Sequence, residues 1–375
     1  MKVLIYENSA GFSSYSYKLC NALANTPGME ISYMTTEGNS ELLELSSDID
    51  LLAKLKVYGK RKKNSFLWLF DRMYISLLNI IIRNKHIKKN RYDVISVQAT
   101  IPIIDQFFLK RIKNKSKIIY TAHDVIPPIK SFYWSKKSLK KCYDAADRII
   151  VHTEGNKNQL MELFGVSEEK ISVIFHGTDI NFKKFDSEKC KEKFGIDEKK
   201  VVFLFYGLIR EQKGLDDIIK AMGNIPDVQL VIAGAMPFGE SFEKYQKLLD
   251  EVRIDCVKFI KYIPNEWTDE LYQACDVVCL PYKYFYSQSG VFMQSIKYRK
   301  PVVVSDVSSF REYIEKYNMG VLCNSADVMD LHEKLIKVKD ILLNDKNYFN
   351  QQLEIAAKEN SWAESAKKHI EIFCS

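Results

Sequence analysis

Two segments of this chain carry cationic and small residues in a pattern suited to holding a diphosphate. The first, GLIREQKG at Gly207–Gly214, follows an apolar stretch and contains Arg210 and Lys213. The second, at residues 280–306, reads LPYKYFYSQSGVFMQSIKYRKPVVVSD: an apolar strand, a turn of small residues, a helix and a further apolar strand. Guanidinium and ammonium groups bind phosphate oxygens, and a helix N-terminus presents free N–H groups to anions. Together the segments predict an anion site built from two cations and backbone amides.

The turn in the second segment supplies the small residues. Ser287, Ser289 and Gly290 let the backbone approach a ligand, and the helix that begins near Gly290 directs its positive dipole end at an anion. Such a site would stabilise a diphosphate that gains negative charge as it leaves a sugar. A solvated loop with ordinary surface cations is the alternative, since Arg-x-x-Lys-Gly alone is a weak signal.

Short apolar strands alternate with helical segments along the chain, which predicts an α/β fold with parallel sheets covered by helices. In the first half the predicted strands are Val3–Tyr6, Glu30–Met34, Val94–Val97, Ile118–Thr121, Arg148–His152 and Ile171–Phe175. In the second half they are Val201–Tyr206, Val228–Ala233, Val257–Ile260, Val277–Leu280, Val302–Ser305 and Gly320–Cys323. Ligands of such sheets bind beyond the carboxyl ends of the strands, and two facing sheets leave a cleft for a small molecule.

The length and composition suggest a two-domain globular protein. A chain of 375 residues exceeds the roughly 250–300 residues that one hydrophobic core serves. We place the first domain at residues 1–182, the second at 183–358, and a C-terminal helix at 359–375 that packs back toward the first. Only a short apolar run precedes Glu7, so the start predicts a buried strand and not a secretory signal, and we expect a cytoplasmic protein. The eight cysteines lack the close pairs of a zinc site, so reduced, mostly buried thiols are expected.

The positive charge is concentrated in one region. Residues 54–141 contain 22 lysines and arginines and four aspartates, a net charge of +18, and since the whole chain carries +7 the rest carries −11. Such asymmetry suggests a polyanionic partner, either an anionic membrane surface or nucleic acid. No zinc-finger, RNP-type or helix-turn-helix pattern accompanies it, which disfavours nucleic acid.

Within this region, residues 65–82 read SFLWLFDRMYISLLNIII and are apolar except where Asp71, Arg72 and Asn79 interrupt them, so a membrane span is not predicted. Flanked by basic clusters, the segment fits a helix that lies on an anionic leaflet with its apolar face inserted. Packing against the first sheet explains the apolar residues equally well, but it gives the cations no partner. We therefore favour peripheral contact with the inner face of the cell membrane.

Several segments resemble, in order along the chain, those of GT-B glycosyltransferases, particularly family four (glycosyl transferases group 1). In the second half they are GLIREQKGLDDIIKA, LVIAG at Leu230–Gly234, FIKYIPNEWTDELYQACDVVCLPY at Phe259–Tyr282 and SQSGVFMQSIKYRKPVVVSD. In the first half they are TAHDVIP at Thr121–Pro127, RIIVHTEGNKNQL at Arg148–Leu160 and VIFHGTD at Val173–Asp179. The resemblance spans nearly the whole chain and is looser before residue 115.

The resemblance implies two facing Rossmann-like domains with an interdomain cleft, a sugar nucleotide held mainly by the second domain and an acceptor held by the first. It implies retention of anomeric configuration, a UDP- or GDP-linked donor, and no cofactor or metal, because cations and amides take the place of magnesium. The absence of a paired-aspartate motif agrees with this. By position in the family motifs, the implied site residues are Arg210 and Lys213 on the phosphates, Gly290 and Val291 as diphosphate-binding amides, Gly207 at the strand end, Gly11 in the glycine turn of the first domain, Ile263 in the backbone that reads the base, and His123 beside the transferred sugar.

The chain departs from the family pattern in its donor pocket. The family usually carries a pair of glutamates around this turn, one at the sugar and one at the ribose hydroxyls, and those positions hold Tyr286 and Gln294. Gln294 keeps hydrogen-bonding capacity without charge, whereas Tyr286 cannot replace a carboxylate. We expect Ser287, Gln288 and Ser289 to take over part of the sugar recognition, and an altered donor pocket in preference to a loss of activity.

His123 and Asp124 follow a predicted strand and precede Val125. His123 suits a hydrogen-bond donor to a sugar hydroxyl, and the residues alone allow equally a histidine that only caps the loop. His176, before Gly177, is a further cleft candidate, although a histidine packed under a turn would look the same. The remaining histidines in helical, charged surroundings are expected at the surface: His86, His332 and His369.

We therefore expect a metal-independent, retaining glycosyltransferase that acts on a saccharide acceptor, lipid-linked, in cell-surface polysaccharide or glycoconjugate synthesis. A sugar-nucleotide epimerase is disfavoured by the missing glutamates, and a phosphorylase would need a lysine-bound pyridoxal cofactor. A non-catalytic partner that binds a sugar nucleotide or glycan for another transferase stays open, and Tyr286 and Gln294 favour it.

Overall fold

The computed structural model describes residues 1–8, 13–37, 44–57, 66–113, 115–126, 135–284, 288–307 and 309–375. The chain divides into two compact units, one formed by Met1–Gly177 together with Trp362–Ser375 and the other by Thr178–Ser361. The C-terminal helix therefore belongs to the first unit. The observed divisions differ by a few residues from those placed at 182 and 358, because the chain after Gly177 already bonds to the second unit.

Backbone and side-chain hydrogen bonds join the stretch that follows Gly177 to the second unit. Thr178 donates its amide N–H to the oxygen of Asn360 at 2.7 Å and its hydroxyl to the oxygen of Met293 at 3.0 Å. The amide of Phe185 donates to the side-chain oxygen of Gln273 at 2.8 Å. These bonds make the stretch that follows Gly177 part of the second unit.

The first unit contains a seven-stranded sheet. Its strands are β1 (Lys2–Glu7), β2 (Glu30–Thr36), β3 (Asp50–Leu55), β4 (Val94–Ala99), β5 (Lys117–Thr121), β6 (Arg148–Val151) and β7 (Ile171–Val173). Its helices are α1 (Ser13–Ala24), α2 (Phe66–Lys89), α3 (Pro102–Ile112), α4 (Lys136–Ala145), α5 (Glu154–Phe164) and, at the C-terminus, α14 (Trp362–Cys374). The strand order is β3-β2-β1-β4-β5-β6-β7, and each pairing is parallel.

The second unit contains a six-stranded sheet. Its strands are β8 (Val201–Tyr206), β9 (Val228–Ala233), β10 (Cys256–Phe259), β11 (Val277–Leu280), β12 (Val302–Ser305) and β13 (Gly320–Cys323). Its helices are α6 (Ser187–Phe194), α7 (Leu215–Ala221), α8 (Glu243–Val252), α9 (Asn265–Ala274), α10 (Gly290–Lys297), α11 (Phe310–Tyr317), α12 (Val328–Asn344) and α13 (Asn350–Glu359). The parallel order β10-β9-β8-β11-β12-β13 reverses direction between β8 and β11.

The prediction of parallel sheets covered by helices is confirmed, with one strand missed. The missed strand, β3, lies at the edge of the first sheet and pairs with β2 alone. Its sequence, DLLAKL, has no β-branched residue and carries two charges, so it lacks the composition typical of a buried strand. A covered sheet tolerates such a strand at its edge, because only one side must pair.

Both faces of the first sheet are buried, which explains the continuous apolar runs of its strands. Along β1, Leu4 and Tyr6 belong to one core cluster, and Val3 and Ile5 belong to the cluster on the opposite face. Helix α14 contributes Phe373 to the second of these clusters. The C-terminal helix is thus part of the core of the first unit.

Candidate functional site

Arg210 and Lys213 lie in the loop that joins β8 to α7. The chain leaves β8 through Gly207, whose φ is 98°, and makes a single 3₁₀ turn at residues 211–213. Gly214 then adopts a φ of 69°, and a Cβ built on it would stand 1.9 Å from the carbonyl oxygen of Pro281. Only glycine fits there, so this residue lets the loop after β8 lie directly against the loop after β11.

A chain of hydrogen bonds joins Lys213 to the start of α10. The Nζ of Lys213 donates to the hydroxyl of Tyr282 at 2.7 Å, and that hydroxyl lies 3.2 Å from the Oγ of Ser289. The same Oγ accepts from the amide of Phe292 at 3.3 Å and so caps α10 at Ser289. Lys213 therefore lies beside the free N–H groups of the first turn of α10, the arrangement that favours an anion.

The electrostatics of this cradle, defined as Arg210, Lys213, Tyr282, Ser289 and the first turn of α10, favour a negatively charged ligand. Burial, together with the charge of Arg210, lowers the pKa of Lys213 from 10.5 to about 8. Arg210 is exposed, and its backbone oxygen accepts from the amide of Lys213 at 2.9 Å. The first turn of α10 carries no acidic residue. A bound diphosphate would relieve the repulsion between the two cations.

A neighbouring cation is already neutralised. The Nζ of Lys283 lies 2.6 Å from a carboxylate oxygen of Asp216 and 3.5 Å from one of Asp217. The amide of Lys283 also donates to the backbone oxygen of Gln212 at 2.8 Å, which ties the two loops together. Lys283 therefore holds the cradle in shape, whereas Arg210 and Lys213 supply its charge.

The structure describes some of the other residues that were predicted for the donor pocket. Val291 approaches Gly207 closely, since its Cγ2 would be 3.2 Å from a Cβ built on that glycine. The side-chain oxygen of Gln288 accepts from the hydroxyl of Ser309 at 3.4 Å. Ile263 has a buried side chain, so only its backbone is available to a ligand. Tyr286 and Ser287, and Gly11 of the first unit, lie outside the described residues.

Gln294 is half-buried and is held by Tyr272. The Tyr272 hydroxyl donates to the side-chain oxygen of Gln294 at 3.0 Å. Tyr272 is itself fixed by stacking on Tyr298, with ring centroids 4.6 Å apart. With its oxygen occupied, Gln294 presents the N–H groups of its amide, where a glutamate would present a negative charge.

In the first unit, His123, which is buried, and His176, which is partly exposed, lie in one aromatic cluster around Tyr15. The Tyr15 ring centroid is 4.7 Å from that of His123, 5.0 Å from that of His176 and 5.1 Å from that of Trp362. His152, which directly follows β6, completes the group at 5.3 Å from Tyr15. The structure thus brings both predicted histidines together with three residues that were not predicted for the site: Tyr15, His152 and Trp362.

The imidazoles of this cluster are neutral. Burial lowers the pKa of His152 to about 4 and that of His176 to about 3, and it holds the pKa of His123 well below its usual range. The Nδ1 of His176 lies 2.7 Å from the backbone oxygen of Gly177, an acceptor, so that nitrogen carries the proton. Asp124, beside His123, is partly buried, and burial raises its pKa to about 6.

The expectation that His369 lies at the surface is wrong. Its side chain is fully buried on the face of α14 that packs against α1. Its Nδ1 donates to the oxygen of Ser365 at 2.7 Å, and its Nε2 accepts from the Tyr15 hydroxyl at 3.3 Å. Charged neighbours in sequence suggested exposure, but they occupy the other face of the helix. His86 and His332 are each partly exposed.

His152 could have been predicted for the site from its position at the carboxyl end of a strand. Strands β5, β6 and β7 are neighbours in the sheet, so the residues that follow them lie side by side. His123, His152 and Ile174 each follow one of these strands. Tyr282 carried a similar signal, because it is the second residue after β11, at the point where the strand order reverses.

Among the described residues, no group of three or more histidine, cysteine, aspartate or glutamate side chains could hold a metal ion. None of the described helices is both long and apolar enough to cross a membrane.

Two family models match consecutive parts of the chain. Residues 186–360 match the model described as glycosyl transferases group 1, and residues 10–182 match the model described as glycosyltransferase family 4. Among curated proteins, the D-inositol 3-phosphate glycosyltransferase of Mycolicibacterium smegmatis is 28% identical over 202 residues, which are 52% of this chain and 46% of that protein. The match thus spans about half the length of this relative.

Solved structures share the fold over the whole chain. The Anabaena protein HepE, described in complex with UDP-glucose, aligns with a TM-score of 0.71 and 16% identity, covering 100% of this chain and 99% of its own. The apo form of the lipopolysaccharide outer core galactosyltransferase WaaB aligns with a TM-score of 0.69 and 16% identity, covering 99% of each chain. At such identity the likeness is one of fold.

Proposed function

We propose, given that this chain belongs to the glycosyltransferases of group 1 and has the GT-B fold, that it moves a sugar from a nucleotide diphosphate sugar to a saccharide acceptor. The observation that carries this proposal is the contact chain from Lys213 through Tyr282 to Ser289 at the start of α10. The cradle lies between β8 and β11, where the strand order reverses and where open α/β sheets bind their ligands.

The proposed chemistry uses the cradle to stabilise the leaving group. As the bond between the sugar C1 and the diphosphate oxygen breaks, Arg210, Lys213 and the amides of Gly290 and Val291 take up the developing negative charge. The acceptor hydroxyl attacks on the same face, and its proton passes to the departing diphosphate oxygen, so configuration is retained. Two cations and a helix N-terminus do here what a divalent cation does elsewhere, and we propose transfer without a metal.

UDP-linked sugars are the first donors to test, since a protein of the same fold is described with UDP-glucose. A thermal-shift panel of UDP- and GDP-sugars identifies the donor, because a ligand that binds only the folded state raises the melting temperature. Saccharide acceptors are then added, with and without EDTA, and release of nucleoside diphosphate is measured. The anomeric configuration of the product is read by NMR.

The outcomes separate the proposal from its competitors. Acceptor-dependent release of nucleoside diphosphate that persists in EDTA supports metal-independent transfer. A donor that binds tightly but releases no diphosphate with any acceptor would make this chain a binding partner of another transferase. Conversion of the donor sugar into its epimer without acceptor would identify an epimerase.

We propose further that the acceptor is lipid-linked and that α2 docks the protein on an anionic membrane for cell-surface glycoconjugate synthesis. Two polar residues of α2, Asn79 and Arg83, point inward. Asn79 accepts from the amide of Lys56 at 2.7 Å and donates to its oxygen at 3.1 Å. Arg83 is buried in an ion pair with Asp105 and donates to the Tyr6 hydroxyl at 2.8 Å.

One face of α2 carries large apolar side chains that point outward, whereas Ile75 is buried and Ile82 packs against the core. Five of the outward-pointing side chains are 56–64% exposed and recur at helical spacing, which defines the α2 stripe: Phe70, Met73, Tyr74, Leu77 and Ile81. The same spacing continues into Lys85 and Lys88, which are also exposed. A helix that exposes five large apolar side chains along one face has a surface that water does not favour. Apolar residues followed by cations match the acyl region and headgroups of an anionic leaflet.

A further inference from the structure

A buried hydrogen-bond chain crosses the carboxyl ends of β5, β6 and β7. The Nε2 of His152 lies 3.0 Å from the Nδ1 of His123, and the Nδ1 of His152 lies 2.9 Å from the backbone oxygen of Ile174. His152 is fully buried and His123 is 7% exposed. The ring of Tyr15 packs against both imidazoles.

The direction of each hydrogen bond in this chain follows from the backbone oxygen of Ile174, at which the chain ends. The oxygen of Ile174 can only accept, so the Nδ1 of His152 carries a proton. Burial keeps His152 neutral, with a pKa of about 4, so its Nε2 holds a lone pair. That lone pair must accept from His123, and the proton between the two rings therefore belongs to the Nδ1 of His123.

We infer that His152 is a positioning residue that holds His123 in the Nδ1-protonated tautomer, leaving the Nε2 of His123 as a hydrogen-bond acceptor. The sequence-based expectation was a donor. This inference rests on the proposed function only for its substrate, a hydroxyl group of the transferred sugar, which donates to that Nε2.

The environment of Nε2 fits this tautomer in one of the two orientations of the Gln98 amide. The side-chain oxygen of Gln98 is recorded 3.3 Å from the Nε2 of His123, and its nitrogen 2.9 Å from the hydroxyl of Ser96. A lone pair on Nε2 requires the Gln98 amide to turn, so that its N–H faces His123 and its oxygen accepts from Ser96. The hydroxyl of Ser96 can donate or accept. Each donor along the chain from Ser96 through Gln98, His123 and His152 then has an acceptor, and the last acceptor is the oxygen of Ile174. A sugar hydroxyl would take over the position of the Gln98 amide.

The tautomer is measured directly by NMR on the full-length protein with ¹⁵N-labelled histidine, at neutral pH and without substrate. The His123 signals are assigned by their loss in His123→Gln. We expect a protonated-type shift for Nδ1 and an unprotonated-type shift for Nε2. His152→Phe removes the acceptor, so the proton should move to Nε2, where the Gln98 oxygen accepts it. His152→Gln offers an amide oxygen in place of Nε2 and should restore the wild-type pattern.

Kinetics test the role in transfer. His152→Phe should lower kcat by about tenfold with little change in KM for the donor, because the other tautomer of His123 loses one hydrogen bond to the sugar, and His152→Gln should recover most of it. His332→Gln, at a partly exposed histidine of the second unit, is the control. An Nε2-protonated His123 in the wild type, or a tautomer unchanged in His152→Phe, would overturn the inference. A changed tautomer with unchanged kcat would overturn the role in sugar binding. If no donor is turned over at all, the proposed function fails while the tautomer result stands.

Discussion

The ammonium group of Lys213 donates a 2.7 Å hydrogen bond to the hydroxyl of Tyr282 and lies 4.3 Å from the centre of the same ring. The two contacts fix the position of a flexible side chain before any ligand arrives. Because the Tyr282 hydroxyl also reaches Ser289, the cap of α10, the cation and the helix N-terminus are held at a set separation. A preorganised arrangement of this kind loses little energy to rearrangement as charge develops on a leaving group.

Removing either cation of the cradle should slow transfer. We expect Lys213→Ala and Arg210→Ala each to lower kcat by about a hundredfold or more, because each group stabilises charge that grows in the transition state. Steady-state release of nucleoside diphosphate measures the effect. Lys220→Ala, at an exposed lysine of α7, is the matched control and should retain wild-type rates. An intact kcat in Lys213→Ala would contradict the assignment of the cradle.

Binding of nucleoside diphosphate should weaken as the pH rises through about 8. Burial and the charge of Arg210 lower the pKa of Lys213 to about 8, so the cation that the diphosphate prefers is present below that pH and is lost above it. Calorimetric titration should give a Kd that is flat near neutrality and rises by up to tenfold per pH unit above about 8.5. Lys213→Arg keeps its charge and should bind with no such dependence. A wild-type Kd that does not change over this range would show that Lys213 does not contact the diphosphate.

The elements that carry the residues of the cradle could be predicted from the sequence because they follow local rules. Gly207 and Gly214 mark the turns, Arg210 and Lys213 follow a buried strand, and Ser289 precedes a helix. Each inference needs only a few consecutive residues. The link through Tyr282 could not be predicted, because it depends on how closely Gly214 lets two loops approach, and that is a property of the folded chain.

The histidine cluster shows where local patterns fail. His152 was taken as the last residue of a strand and His369 as a surface residue of a charged helix. Both are fully buried, because β5, β6 and β7 align their ends and α14 packs on the same unit. Contacts between residues so distant in sequence leave no trace in spacing.

Helix α2 is a similar case: its hydropathy predicted a buried or membrane-bound segment, but only the structure shows that Asn79 and Arg83 face inward.

Binding to anionic vesicles should depend on the α2 stripe. Leu77→Asp combined with Ile81→Asp places two charges on the face that would enter the leaflet, and we expect the vesicle-bound fraction to fall by about tenfold or more. Co-sedimentation with vesicles of phosphatidylcholine and phosphatidylglycerol measures it. Leu343→Asp, at an exposed leucine of α12 in the second unit, is the matched control.

Salt and lipid composition test the same surface. Binding should weaken in high salt and on pure phosphatidylcholine, because the exposed lysines that follow the stripe act through charge. Equal binding of wild type and double variant would contradict the assignment. A wild-type dimer that the double variant loses would instead assign the α2 stripe to a second copy of the chain.

The histidine cluster should make folding stability sensitive to mild acid. Burial lowers the pKa of His152 and His369 to about 4, whereas the ordinary value of 6.5 applies to the unfolded chain. Between these values the unfolded state binds protons that the folded state does not, so stability is lost as the pH falls from 6.5 toward 4. Each histidine contributes at most about 1.4 kcal/mol per pH unit.

Urea denaturation at several pH values in this window measures the slope. Carboxylates contribute to acid denaturation in the same direction, so the comparison must be between variants. His369→Gln removes one buried imidazole and should reduce the pH dependence relative to the wild type, whatever its effect on stability at neutral pH. His332→Gln should leave the slope as it is. If His369→Gln also keeps the wild-type slope, the buried imidazoles do not govern the acid sensitivity. That outcome would contradict the assignment of neutral histidines around Tyr15.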